Sequence, residues 1–361
     1  MLRRSLTGMS PAALEELAVH MGQPRYRGRQ LAEWIHQHNV ASLDDATNLP
    51  RALRTRLGEE VGLAHLEVAE RIESPDGTTK ILFELHDGAR IESVAMPRPT
   101  GRTTYCLSSQ VGCRMGCVFC ATGKMGIVRQ LEAGEIVGQV LALRRLFPEP
   151  TLPNLVFMGM GEPLDNLDEL LAALEILLDE RGLGLSARRI NVSTSGLVEG
   201  IERLAAWGRP VGLAVSLTTG DPDERRALMP VAGQIAVEHL LRVAGDYGRR
   251  VRRRVTLECA IIAGQNDTPE HARRLLELAR TGPFKVNLIP LNPIDDFAGG
   301  RPDLDRVNAM VDVLWKGNVV ATVRDSQGRE VEAACGQLVR RQERRPEAAP
   351  RGRAVPRNRE S

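Results

Sequence analysis

The chain is poor in aromatic residues, at 3% of its 361 positions, and poorer still in lysine. Only Lys80, Lys124, Lys285 and Lys316 are present, against 44 arginines. No apolar run approaches the roughly 18 residues that a membrane span needs, so no membrane partner is expected. The N-terminus, Met-Leu-Arg-Arg-Ser-Leu-Thr, has no apolar stretch behind its arginines and does not read as a secretory signal. Six cysteines, three of them clustered, do not make a secreted disulfide framework in so long a chain. The expected compartment is the reducing cytosol.

A large net charge is also missing, at +2 overall, but the charge is unevenly spread. Residues 339–361 hold eight arginines against three glutamates, and residues 1–57 hold eight arginines against five acids. The run Arg249-Arg250-Val251-Arg252-Arg253-Arg254 adds a third patch. Positive ends on a mildly acidic body fit a polyanion such as RNA. A solvated surface in an arginine-rich protein is the other reading of the same charges.

What the chain does have is Cys113, Cys117 and Cys120 in the run Cys-Arg-Met-Gly-Cys-Val-Phe-Cys, with no fourth cysteine inside it. Clusters held fully by protein use four cysteines. Three at this spacing suit a cubane [4Fe-4S] cluster with one iron open, and an open iron binds a substrate, as a catalyst needs. Structural zinc wants four Cys/His ligands, usually as two pairs. Its fourth ligand here would be Cys106 or a distant residue, and no Cys/His pair follows downstream.

Length allows one large domain with appendages. Ser10-Pro11 predicts a helix start at Ala12, followed by helices over 27–38 and 43–57. Residues 79–96 read as a β-hairpin turning at His86-Asp87-Gly88. From about 103 onward, strand-like runs at 103–107, 155–158, 190–193, 211–217, 255–262 and 284–289 alternate with helical patterns such as 168–178, 201–207 and 269–280. Six βα units imply a parallel sheet, open or rolled into a partial barrel, with ligands at the carboxyl ends of the strands. A seventh strand at 319–323 leads to a turn at 326–328 and then to Ala333-Ala334-Cys335-Gly336. The boundaries expected are a helical RNA-binding unit over 1–57, a hairpin linker over 58–98, the core over 99–338 and a disordered arginine-rich tail over 339–361.

The cysteine spacing, with Gly161-Glu162-Pro163 after the second core strand, resembles the radical S-adenosylmethionine (SAM) superfamily. The runs 106–113, 157–164, 193–196, 287–293 and 333–338 are similar to the RlmN/Cfr family of RNA methyltransferases, on its RlmN side. The similarity covers about residues 10–338, which makes it specific. It implies an α/β fold with a radical SAM partial (βα)6 barrel, a small helical N-terminal domain and a β-hairpin. It implies methylation of adenosine carbon 2 in 23S ribosomal RNA and in transfer RNA by a monomer that uses two SAM molecules per turnover. In that chemistry Cys335 takes a methyl group, a 5′-deoxyadenosyl radical activates it, and the carbon adds to the base. Cys106 then resolves the protein–RNA crosslink through a transient disulfide with Cys335. Glu92 matches the proton acceptor. Gly161, Glu162, Ser193, Ser216, Leu217, Thr218 and Asn292 match SAM-contacting positions, although the family usually has histidine where Thr218 stands. An electron donor and a disulfide reductant are the other implied partners. Carbon-8 methylation, as in Cfr, and a non-catalytic RNA binder with a structural metal are the alternatives. Cys259 matches no motif and reads as core.

Overall fold

The computed structural model describes residues 5–64, 66–98, 101–294, 297–324 and 327–338. The arginine-rich tail and Ser326 of the expected turn lie outside these described residues. The strands in chain order are β1 (Leu66–Glu73), β2 (Thr79–Leu85), β3 (Arg90–Met96), β4 (Thr104–Cys106), β5 (Gln110–Cys113), β6 (Gly126–Gln130), β7 (Asn154–Phe157), β8 (Ile190–Thr194), β9 (Gly212–Ser216), β10 (Val255–Ile261), β11 (Phe284–Pro290) and β12 (Ala321–Val323). All but β5 and β6 join one sheet in the order β1-β2-β3-β4-β7-β8-β9-β10-β11-β12. Pairing is antiparallel from β1 to β4 and parallel from β4 to β12. Among the described residues the order is linear, so the parallel part is a barrel left open.

Two faces of each parallel strand do different work. In β11, Phe284, Val286, Leu288 and Pro290 are buried, while Lys285, Asn287 and Ile289 are half-buried. In β8, Ile190, Val192 and Thr194 are buried and Asn191 and Ser193 are half-buried. The apolar face packs beneath helices such as Leu167–Leu178, Val237–Val251 and Pro269–Ala279. The other face mixes polar side chains with apolar ones such as Ile289 and lines cavities. An ordinary (βα) barrel fills its interior with branched apolar side chains; this one keeps a hollow of mixed lining.

The N-terminal unit begins with helix Pro11–His20, whose first turn is capped by Ser10 Oγ accepting from Ala13 N at 3.2 Å. It crosses helix Arg25–Ala32 at Gly28, where an added Cβ would lie 2.3 Å from Glu15 Cα. The third expected helix starts later, at Arg51–Glu60, because Pro50 stands at its N-cap. Asn39 Nδ2 donates to Leu141 O at 2.9 Å and ties the unit to the core. The hairpin forms as expected and is extended at both sides. β1 adds an exposed third strand, and β3 pairs with β4, so the core sheet is continuous through it.

Candidate active site

The chain leaves β4 at Cys106, turns through Ser108 and Ser109, and re-enters as β5, which ends on Cys113. β5 closes on β6 at Gly112, where φ is +81° and an added Cβ would lie 2.0 Å from Gly126 O. The next turn carries Cys117 and Cys120. Val118 N donates to Leu228 O at 3.1 Å, and Cys117, Val118 and Phe119 pack on Leu228 and Met229. The loop after β7 is locked to this cysteine segment by Gln110, whose Oε1 accepts from Glu162 N at 2.8 Å and whose Nε2 donates to Asp165 Oδ2 at 2.7 Å. Gly161 cannot carry a side chain there: φ is +103°, and a Cβ would meet Gln110 Cβ at 2.6 Å.

Cys113, Cys117 and Cys120 together line a cavity of about 190 Å³ at the carboxyl ends of β7 to β11. Burial pushes the Cys113 thiol up to about 12 and raises Cys117 and Cys120 as well, with the neighbouring sulfurs adding to the rise at Cys117. Such thiols stay protonated until a metal displaces the proton. Among the described residues no three Cys, His, Asp or Glu side chains converge on one metal ion. A cubane binds each thiolate to a different iron, so three separated sulfurs around one space suit a cluster and do not suit zinc. The donor set therefore fits the iron–sulfur reading.

The same wall carries Gly161, Glu162, Ser193, Ser216, Thr218 and Asn292. Glu162 is buried, and burial raises its pKa; its carboxylate accepts from Ser195 N at 2.7 Å and Leu164 N at 3.1 Å. Ser195, on the same wall, also lowers the Glu162 pKa through its backbone N–H and its hydroxyl, against the rise from burial. Thr218 has φ +64°, unusual for a β-branched residue, and its N–H donates to Glu258 O at 3.1 Å. Leu217 is set apart from the other expected contacts: it is buried in the core, not on the cavity wall.

A second cavity of about 350 Å³ lies deeper in the barrel and is lined by Cys106, Cys335, Arg98, Arg324, Met158 and Asn287, among others. The segment bearing Cys335 crosses the barrel as a strap. Asn292 Nδ2 donates to Cys335 O at 3.1 Å, Ala121 N to Gly336 O at 2.8 Å, and Thr122 Oγ1 to Leu338 O at 2.6 Å. Burial pushes the Cys106 thiol up to about 12; the neighbouring Cys335 adds to the rise and Arg324 opposes it. Arg324 is held by Glu258 Oε1 at 3.4 Å and Met158 Sδ at 3.0 Å, with Cys335 the strongest influence on its charge. A third cavity at the amino ends of the strands takes Arg98, Arg188, Arg189, Arg253, Lys285 and Arg324 into its wall, with Glu258 the one carboxylate.

Glu92 lines neither of the two cysteine cavities. It is buried on β3, and its Oε1 pairs with Lys80 Nζ at 3.1 Å. Lys80 also donates to Glu332 O at 3.3 Å, on the strap that carries Cys335. Sequence reasoning missed Lys80, Gln110 and Arg324. Lys80 had a signal, as one of four lysines in an arginine-rich chain. Cys259 is fully buried in β10.

Known proteins are similar to this chain over most of its length. Residues 107–279 match the radical SAM superfamily, and residues 4–63 match the ribosomal RNA large subunit methyltransferase N-terminal domain. A probable dual-specificity RNA methyltransferase RlmN of Symbiobacterium thermophilum is 43% identical over 346 residues, 95% of this chain and 93% of that protein. The dual-specificity RNA methyltransferase RlmN of Halorhodospira halophila is 42% identical, over 92% of this chain and 93% of its own. The chain belongs to the RlmN family of radical SAM RNA methyltransferases. The crystal structure of a radical SAM methyltransferase from Sphaerobacter thermophilus superposes with a TM-score of 0.90 at 43% identity, covering 93% of this chain and 99% of that one. Family membership implies a [4Fe-4S] cluster and SAM. Among the described residues no helix is long and apolar enough to cross a membrane.

Proposed function

We propose that the protein methylates carbon 2 of an adenosine in 23S ribosomal RNA and in transfer RNA, with Cys335 as the methyl carrier. One observation supports this most: Cys335 is the one cysteine on the walls of both the three-cysteine cavity and the Cys106 cavity. A methyl carrier needs access to a radical source on one side and to a resolving thiol on the other.

Carbon 2 of adenine is electron-poor and not a nucleophile, so direct displacement from a methyl donor is closed to it. The cluster and SAM supply, when bound, the one-electron chemistry that turns a methyl C–H into a carbon radical. Cys113, Cys117 and Cys120 would hold the cluster. Gly161, Glu162, Ser193, Ser216 and Asn292 would hold SAM, and Thr218 would contribute backbone. Cys335 takes the methyl as a thiolate: its S–C bond forms while the donor sulfonium bond breaks. Arg324 keeps a positive charge beside that sulfur. Once the carbon is bonded to the base, the radical adduct would return one electron to the one-electron centre of the three-cysteine cavity and lose its carbon-2 proton. That proton would reach Glu92 through a relay, because Glu92 lies beside Lys80 outside both cavity walls. Cys106, as a thiolate, then bonds to the Cys335 sulfur; the S–C bond breaks with its electron pair left on the methylene carbon, which takes up a proton and leaves as the methyl group of the base. A dithiol reductant restores both thiols, and a separate electron donor serves the cluster. The helical unit over 1–57 and the cationic lower cavity would engage RNA phosphates.

The test is anaerobic reaction of the reconstituted protein with labelled SAM and ribosomal RNA that lacks the modification, followed by mass spectrometry against both methyladenosine isomers. The 2-methyl isomer is expected. The 8-methyl isomer would move the target carbon, and absence of any methyladenosine would overturn the function.

A further inference from the structure

Arg225 heads the largest fully buried side chains of the protein, at 0% exposure. It sits on helix Pro222–Leu228, behind the wall of the three-cysteine cavity. Its guanidinium is spent on backbone. Nη1 donates to Ser216 O at 3.1 Å and to Leu217 O at 2.9 Å, Nη2 donates to Ser195 O at 2.9 Å, and Met229 Sδ lies 3.2 Å from Nη1. Nε has no partner.

Carbonyls and a thioether are neutral, and Arg225 forms no ion pair with a carboxylate among the described residues. A guanidinium is not deprotonated in proteins, so the charge stays. Burying it without an anion is costly, and buried charges are normally paired. Burial lowers the pKa of Arg225, and the nearby sulfurs of Cys117 first and Cys259 second oppose that fall. The Cys117 turn rests on the continuation of the same helix, through Val118 N and Leu228 O and through packing on Met229.

We infer that Arg225 is the buried counter-charge of the iron–sulfur cluster held by Cys113, Cys117 and Cys120, a positioning residue that makes the cluster easier to reduce. The inference rests on the cluster reading above. Reduction adds one negative charge to a centre that three thiolates already make anionic. A fixed positive charge in a dry, low-dielectric setting favours the reduced form more than the oxidised one. The same fork ties the loop after β8 to the loop after β9, two loops that line the cavity. Arg225 thus has a charge role and a clamp role, and the two are separable.

The experiment compares Arg225→Lys and Arg225→Met in the full chain, reconstituted anaerobically and titrated by electron paramagnetic resonance. Both variants lose the fork, and lysine keeps the charge at a pH below the pKa of its buried ammonium, so the two are compared at the lowest pH at which the cluster is intact. The Met variant should reduce at a more negative potential than the Lys variant, by at least one tenfold step in the reduction equilibrium, about 59 mV for a one-electron couple. SAM affinity should fall alike in both. Equal potentials would overturn the inference and leave Arg225 a clamp. Arg225→Gln retains an amide donor for the carbonyls and carries the same comparison if the Met variant takes up no iron. A wild-type protein without a four-iron cluster is a different result, since it would overturn the cluster reading itself.

Discussion

The cavity around Cys113, Cys117 and Cys120 draws its three sulfurs from a single eight-residue run, whereas the cavity around Cys106 and Cys335 draws its two from the ends of β4 and of the strap after β12. Their electrostatics differ as much as their origins. No arginine or lysine lines the first cavity; burial raises Cys113, Cys117 and Cys120 there and raises Cys106 in the second, where Arg324 opposes the rise. Arg98 and Arg324 line the second. A thiol that binds metal needs no cation on the wall, because the metal supplies the charge that removes the proton. A thiol that attacks carbon or sulfur must be an anion beforehand, and a nearby guanidinium favours that. On the proposed function the five cysteines serve two chemistries, and arginines line the wall of only the cavity whose thiols would attack carbon and sulfur.

The largest way to break the comparison is at the metal side. Cys113→Ala, Cys117→Ala or Cys120→Ala should each abolish a cluster of about four irons, as cubanes contain, measured as iron and sulfide per chain after anaerobic reconstitution. A variant that keeps its iron would remove that cysteine from the ligand set. Next is the cation side. Arg324→Gln should push the Cys106 thiol further up from about 12 and slow crosslink release by about tenfold for each pKa unit gained. In the wild type, release in single turnover should climb about tenfold per pH unit between roughly pH 7 and 10, because each unit exposes tenfold more thiolate. A flat profile would show that Cys106 ionisation does not limit the step.

Two smaller effects sharpen the boundary of the site. Glu92→Gln leaves the Lys80 ammonium buried without its carboxylate, which should cost about 3–5 kcal/mol in denaturant unfolding. A loss below about 1 kcal/mol would mean the pair is more hydrated than its burial suggests. Cys259 tests the other limit, a buried cysteine outside both cavities. Cys259→Ala should cost about 1 kcal/mol, as for one deleted methyl-sized group, and should leave iron content unchanged. Its folded thiol is raised to about 12 from an ordinary 9, so it stabilises the fold while neutral and loses that contribution as pH rises from 9 to 12. The alanine variant should lose less stability across that alkaline window.

Local features were legible in the sequence. The parallel strands read correctly because each is a short apolar run between turn residues, and the cysteine run is contiguous. β1 was not legible: Leu-Glu-Val-Ala-Glu-Arg-Ile-Glu is mostly exposed and pairs only with β2 among the described residues. The short β5 and β6 were hidden by the cysteine motif that β5 carries. Arg225 and Arg324 left no mark in the sequence because their partners are backbone carbonyls and distant side chains, while the pairing of Lys80 with Glu92 needed the sheet register to show it. The charge patch at 249–254 is only partly free-standing. Arg253 turns inward to Pro210 O at 2.7 Å and Arg249 pairs with Asp246 at 2.8 Å, so not all of that run is free to meet RNA.

The central claim is that Cys335 carries the carbon and Cys106 releases it. Purifying Cys106→Ala and Cys335→Ala from cells tests it most directly. The Cys106 variant should arrive covalently bound to RNA through Cys335, as a slow-migrating species that ribonuclease collapses. The Cys335 variant should carry no RNA, because it has no methyl to activate. Two variants that behave alike, both free of RNA, would contradict the account.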